Sequence, residues 1–484
     1  MAVCWNLHGK IEAAFGHSCG STILLAIGIA TAAVPPAAPG PGSPPPAAST
    51  PAPAAPTPTG DGRGAAAAAD ALHLTRDEAS AAARELCAAR LARLRGERRA
   101  EVEARVIEVA GARMPFWYTI VGEKPANGRS LWISLHGGGG APAQVNDSQW
   151  ENQKRLYRPA EGVYLAPRAP TDAWNMWHQQ PMDALLDRLI EDLVAIEDVD
   201  PDRVYIFGYS AGGDGVYRLA PRMADRWAAA AAMAGHPGDA RPDGLRNIGF
   251  ALHTGELDAA YNRNAEAKRW QEALADLERR DPDGYRHEAK LHPGKGHWMD
   301  REDAEALPWM ARFTRNPRPT KIVWVQDGVT HRRSAWLSVD APVRGARIVV
   351  EREGQTIRVL EAPPSTLLRI RLDDEMVDLD AEVVVVQVQR GGEHANEGET
   401  GKADEGKRAG AKQDDPADVS GSEPTKPRGG PAAQVREREL FRGIVPRTRA
   451  TMERTLEERG DPRSVFSAEV VVKTSAAPAP LPAR

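Results

Sequence analysis

Cysteine is scarce, with three residues in 484: Cys4, Cys19 and Cys87. No CxxC pair or Cys/His cluster is present, so a zinc site is not expected. Cys4 and Cys19 fall in a segment expected to be removed, which leaves Cys87 single and no disulfide framework. Cys87 reads as a packing residue on a helix. Excess charge of one sign is also lacking, since the formal net charge is −5 with both signs spread along the chain. That balance gives no electrostatic footprint for nucleic acid. No stretch approaches the roughly 20 apolar residues that span a bilayer.

The hydrophobic fraction, 42%, is enough for a sizeable core, and 484 residues suggest more than one domain. Lys10, the apolar run Ser21–Val34 and the small residues after it read as a signal peptide over 1–34. Export to the periplasm, envelope or medium is therefore expected, with an uncleaved anchor and cell-envelope association as the alternative. Residues 35–69 are almost all Ala, Pro, Gly, Ser and Thr, and read as a disordered linker. A helix is predicted over Thr75–Arg98, with Thr75 and Glu78 forming a capping box.

Strands then alternate with helices up to residue 316. Strands are predicted at 103–109, 115–121, 131–135, 162–166, 203–208, 228–234, 248–253 and 286–291. Helices are predicted at 182–197, 211–224, 262–280 and 302–314. This pattern implies an α/β fold, a mostly parallel sheet covered on both faces, with an antiparallel edge formed by the first two strands. The domain is expected to span 70–316. After Pro317, short strands at 320–326, 335–339, 345–351, 355–360, 366–371 and 381–389 predict a small β domain over 317–475. A charged, disordered insert at 391–433 interrupts it, and a strand–helix–strand piece (439–445, 446–459, 466–472) completes it. A flexible tail follows at 476–484.

The chemistry centres on Gly208-Tyr209-Ser210-Ala211-Gly212, a G-x-S-x-G between an apolar strand and an amphipathic helix. That context makes Ser210 a nucleophile on a strand-to-helix elbow, beside the free N–H groups and dipole of the helix N-terminus. A serine hydroxyl needs a base, and the base an orienting acid. In the order Ser, acid, His, the sequence offers Asp258 in Gly255-Glu-Leu-Asp and His297 in Gly294-Lys-Gly-His. Glu256 is the other candidate acid and His292 the other candidate base. Two N–H donors are needed for an oxyanion. Ala211 supplies one, and the run His136-Gly-Gly-Gly-Gly140 supplies the other through Gly138 or Gly139. Trp174, Trp177, His178 and His236 follow strand ends on the same edge and are candidate substrate contacts. Asp214, close behind the elbow, reads as a brace for the helix.

The segments Asp200-Pro-Asp-Arg-Val-Tyr-Ile-Phe-Gly-Tyr-Ser-Ala-Gly-Gly and Asp214–Trp227 resemble the esterase and polyhydroxybutyrate-depolymerase-like branch of the α/β-hydrolases over about residues 100–316. The resemblance implies a Ser–His–Asp ester hydrolase that forms an acyl-enzyme and needs no cofactor or metal. The block Lys321–Val388 resembles a β domain that accompanies such esterases. Depolymerases of that branch usually carry a disulfide near the site, which this chain has no cysteines to supply. Small or medium esters are therefore expected rather than polymer. The alternatives are a peptidase or acyltransferase on the same residues, and a non-catalytic surface binding protein.

Overall fold

A computed structural model describes residues 73–390 and 435–475, all within one compact unit, Asp61–Arg484. The predicted signal peptide, the linker, the insert at 391–433 and the tail lie outside the described residues.

The chain opens with helix α1 (Arg76–Ala104), whose start is fixed by the Thr75–Glu78 capping box. Strands β1 (Val106–Val109), β2 (Ala112–Val121) and β3 (Arg129–Leu135) follow, then helix α2 (Ala143–Leu156) and β4 (Gly162–Pro167). Next come α3 (Pro181–Ile196), β5 (Val199–Tyr209), α4 (Ala211–Arg222), β6 (Ala229–Met233) and β7 (Gly249–Gly255). Helix α5 (Arg263–Arg280), β8 (His287–His292) and the short helix α6 (Ala306–Met310) complete this part. The eight strands form one sheet in the order β1-β2-β4-β3-β5-β6-β7-β8. β2 runs antiparallel to both β1 and β4, and the strands from β4 through β8 are parallel.

Side-chain alternation in the central strands feeds two apolar layers. Leu131, Ile133, Leu135, Val204 and Ile206 face the layer shared with Leu186, Leu189, Val216 and Leu274. Trp132, Tyr205, Phe207 and Tyr209 face the other, with Tyr157, Tyr164 and Met310. Because both faces are covered, β6 and the second half of β5, residues 204–207, read as continuous apolar runs. Phe207 is fully buried, and truncating such a side chain to Ala costs about 3–5 kcal/mol.

Helix α1 runs on to Ala104, into the start of the strand expected at 103–109, and two other helices differ from the sequence reading. Helix α2 was not expected, because AQVNDSQWENQKRL carries no apolar stripe. Its buried residues are Asn146 and Gln153, and hydrogen bonds attach it: Gln153 Nε2 to Ser134 Oγ at 2.7 Å and Trp150 Nε1 to the Ala166 carbonyl at 2.9 Å. The helix expected over 302–314 is instead a 3-10 turn, Glu302–Glu305, followed by α6.

The C-terminal part is a sandwich. β9 (Lys321–Val325), β12 (Arg347–Glu353), β13 (Thr356–Glu361), β15 (Val383–Arg390) and β16 (Val435–Gly443) make one sheet. β10 (Arg333–Ser334), β11 (Leu337–Val339), β14 (Leu367–Leu372) and β17 (Ala468–Lys473) make the other. Trp324, Ile348, Val359 and Val385 from the first meet Trp336, Leu368, Ile370 and Val470 from the second. β15 and β16, which flank residues 391–434 in sequence, pair antiparallel. Helix α7 (Arg449–Arg459) packs Met452 and Leu456 against Ala79 and Ala82 of α1. Cys87 joins this contact, and burial pushes its thiol up to about 11.

Candidate active site

Ser210 sits between the end of β5 and the start of α4 with φ 57° and ψ −121°. A non-glycine residue there stores strain of order 1–3 kcal/mol. Surrounding hydrogen bonds impose it: Ser210 N–H donates to the Met233 carbonyl at 2.9 Å, and Asp214 N–H to the Ser210 carbonyl at 3.0 Å. The flanking glycines are required by contact. A Cβ on Gly212 would lie 2.2 Å from the Leu135 carbonyl oxygen, and one on Gly208 2.5 Å from the Gly212 backbone.

His297 Nε2 lies 3.0 Å from Ser210 Oγ, and its Nδ1 lies 2.8 Å from Asp258 Oδ2. Asp258 is buried. This network assigns the proton to Nδ1, leaving the Nε2 lone pair for the serine hydroxyl. Of the alternatives weighed from sequence, Glu256 Oε2 accepts the Gly294 N–H at 2.9 Å, and His292 Nε2 faces buried His253 Nδ1 at 3.1 Å. Both support the loops that carry Asp258 and His297. Those loops are joined by backbone bonds, Glu256 N–H to the His292 carbonyl at 3.0 Å and Leu257 N–H to the Lys295 carbonyl at 2.8 Å.

Tyr209, beside the serine, is a support that the sequence reading did not single out. Its hydroxyl donates to the His297 carbonyl and accepts the Met299 N–H at 3.2 Å. Burial raises its phenol well above the ordinary tyrosine range, so it stays protonated as a donor.

The glycine loop begins at buried His136. Its Nε2 accepts the Ala169 N–H at 3.1 Å, so Nδ1 carries the proton and donates to the Gly137 carbonyl at 2.6 Å. Burial lowers the imidazole to about 4, which keeps it neutral. Gly138, Gly139 and Gly140 have φ of 105°, 77° and 62°. A Cβ on Gly139 would sit 3.3 Å from Ala211 Cβ, and one on Gly137 3.3 Å from Ser210 Cβ, so the loop lies on the elbow. Gly139 N–H is held by Asn146 Oδ1 at 2.8 Å, and Gly140 N–H by the Asp172 carbonyl at 2.8 Å. The N–H groups of Gly138 and Ala211 have no hydrogen-bond acceptor among the described residues. Of the two glycines read from sequence, Gly138 is thus the one with a free donor. Asn146, on the unexpected helix, was missed because its neighbours carry no pattern.

The four candidate substrate residues separate. Trp174 is 68% exposed and lies on the loop, its Cβ 3.5 Å from where a Gly140 Cβ would be. His178 stacks edge-on to it at 5.4 Å, and burial and two nearby arginines lower its imidazole to about 4. Trp177 is not available to substrate. It is 1% exposed, its indole donates to the His136 carbonyl at 2.8 Å, and its Cβ fills the space left by Gly215. His236 anchors its own loop: its N–H donates to Asp214 Oδ1 at 2.6 Å and its Nδ1 accepts the Gly238 N–H at 2.9 Å. Asp214 thereby ties α4 to the loop after β6. Among the described residues no group of three or more His, Cys, Asp or Glu could hold a metal ion.

The strand order, the strained elbow and the Ser–acid–His sequence meet on one sheet edge. This is an α/β-hydrolase fold. No family model matches the chain. Over 163 residues the chain is 31% identical to the protein named "Putative esterase NocK" from Nocardia uniformis subsp. tsuyamanensis, covering 30% of this chain and 46% of that one. The chain thus matches less than half the length of that relative. Among solved structures it is similar to a thermostable esterase (17% identity, 43% of this chain and 62% of that one, TM-score 0.34). It is also similar to LpqC, a poly(3-hydroxybutyrate) depolymerase from Bordetella parapertussis (18% identity, 44% and 90%, TM-score 0.33).

Proposed function

We propose that this α/β-hydrolase is a serine esterase that cleaves carboxylic esters of small or medium size. The observation that carries the reading is the line of contacts from Ser210 Oγ through His297 to Asp258, at 3.0 and 2.8 Å, beside a glycine loop with a free N–H. The partial match to a protein named as an esterase supports it.

In this reading Ser210 Oγ attacks the ester carbonyl carbon while His297 Nε2 takes its proton. Asp258 holds the imidazole and stabilises its charge. The carbonyl oxygen, now an anion, meets the N–H groups of Gly138 and Ala211, each such donor being worth about 2.7–4 kcal/mol in the transition state. The C–O bond to the leaving alcohol breaks as His297 returns the proton to it. Water then attacks the acyl-enzyme by the same route, releasing the acid and restoring Ser210. Trp174, exposed above the loop, supplies an apolar face for the acyl or alcohol group.

The test is hydrolysis of p-nitrophenyl acetate and butyrate, with fluorophosphonate labelling as a second readout. Ser210→Ala should abolish both. Full activity in that variant would overturn the assignment.

A further inference from the structure

Arg263 is the first residue of α5, and nothing in the sequence marks it. A cation is poorly placed there. The N-terminus of an 18-residue helix carries partial positive charge. The residue is 8% exposed, and its Nε has no hydrogen-bond partner. The backbone before it is unusual too, since Tyr261 and Asn262 both have positive φ, 56° and 58°. A buried cation at a helix N-terminus requires a nearby anion to offset its charge.

That partner is the proposed catalytic acid. Arg263 Nη1 lies 3.6 Å from Asp258 Oδ1, the oxygen that His297 does not use. The carboxylate is buried, and among the described residues its only hydrogen-bond donor is His297. A buried carboxylate with one neutral donor is costly to keep ionised. The guanidinium supplies the missing charge. It is held by the Ala260 carbonyl at 3.4 Å and by the face of Tyr261 at 4.8 Å.

We propose that Arg263 is a positioning residue that keeps Asp258 ionised and turned toward His297, and so sets the pH range in which His297 acts as a base. The inference rests on the esterase reading above. Other groups face the same pair. Asp214 on α4, raised by burial, feels the charges of Arg263, His236 and His297. Asp300 and Asp303 act on Tyr209 beneath the histidine loop.

A cation beside the hydrogen-bonded Asp258–His297 pair repels a second positive charge on the imidazole. Removing the cation therefore moves the acid limb of kcat/KM upward. In Arg263→Met the limb, read with p-nitrophenyl butyrate, should rise by about one pH unit, with kcat lowered and KM within about two-fold. Arg263→Lys should return the limb close to wild type. The same shift should persist when both proteins carry Asp214→Asn, which removes the competing carboxyl.

If Arg263→Met does not fold, Arg263→Gln and the pH dependence of fluorophosphonate labelling give the same comparison. An unmoved limb in a folded neutral variant, or a lysine variant as displaced as the methionine one, would overturn the proposal. A wild-type protein that neither labels nor hydrolyses esters would instead overturn the esterase reading itself.

Discussion

Asn146→Ala tests which glycine of the loop faces the oxyanion. The side chain is fully buried, with Oδ1 accepting the Gly139 N–H at 2.8 Å and Nδ2 donating to the Ala141 carbonyl at 2.9 Å. Alanine leaves both backbone groups without those partners. Each orphaned polar group costs about 1–3 kcal/mol when buried. Gly139 and Ala141 are half-buried, so the low end applies, and a stability loss of about 2 kcal/mol is expected. The kinetic effect is larger in proportion. Loss of an oxyanion donor costs about 10²–10³ in kcat, and a donor that is present but poorly aimed should forfeit part of that, roughly 10- to 100-fold. KM should change little, because the oxyanion exists only in the transition state. The assay is steady-state hydrolysis of p-nitrophenyl butyrate on the pH plateau, with a thermal melt to show that the fold survives. An unchanged or raised kcat in a folded Asn146→Ala protein would refute the reasoning, because Gly139, released from Asn146, would then be the better donor.

Tyr209→Phe keeps the ring but removes the hydroxyl that joins the His297 carbonyl to the Met299 N–H; kcat should fall about tenfold, the equivalent of roughly 1.4 kcal/mol, with KM unchanged, as steady-state kinetics would show. Asp461→Asn breaks a buried pair with Arg315 Nη1 at 2.6 Å and should cost about 3–5 kcal/mol at pH 7 by thermal or denaturant unfolding. Burial would raise the Asp461 carboxyl, but Arg315 and Arg226 hold it well below its ordinary 3.8. Its contribution to stability is therefore full above pH 3.8 and lost as pH falls below it, so the gap between variant and wild type should narrow in melts at the acid end.

The features that were legible in the sequence are those whose signal is local. The central strands of the large sheet carry their own apolar runs, and the crossovers through α3, α4 and α5 their amphipathic helices, whereas α2 carries no such stripe and the β6–β7 crossover has only a 3-10 turn, Pro242–Leu245. G-x-S-x-G, the polyglycine run and the order Ser210, Asp258, His297 are likewise short motifs on single loops. What escaped depends on partners far away in the chain. Helix α2 is fastened by polar groups to β3 and β4, so no periodicity announces it, and Asn146 went with it. Trp174 and Trp177 look alike in a loop. Only the missing side chain at Gly215, 38 positions later, decides that Trp177 turns inward. Arg263 reads as an ordinary charge on a surface helix until Asp258 is seen beside it.

The same dependence on distant partners bears on the sandwich. Its junction with the hydrolase sheet is ionic and buried. Arg226 pairs with Asp187 at 2.5 Å and donates to the Arg459 carbonyl at 2.8 Å, while Arg459 reaches Asp187 and Asp225 at 3.3 and 3.0 Å. Arg333 also meets Asp187, and His331 meets Asp183. Arg226, Arg315, Arg459 and Asp461 are all nearly inaccessible to solvent. Charges removed from water in this way are tolerated only with their partners in place. Ending the chain at residue 316 would take His331 from Asp183, Arg333 and Arg459 from Asp187, Arg459 from Asp225 and Asp461 from Arg315, and would uncover the face of α1 that packs on Met452 and Leu456. Loss of activity on truncation would then report the fate of the hydrolase fold and say nothing of substrate recruitment. The question of what the sandwich contributes is better put to residues that keep the junction whole, such as Leu367 and Val471, which are half exposed on neighbouring strands of its smaller sheet.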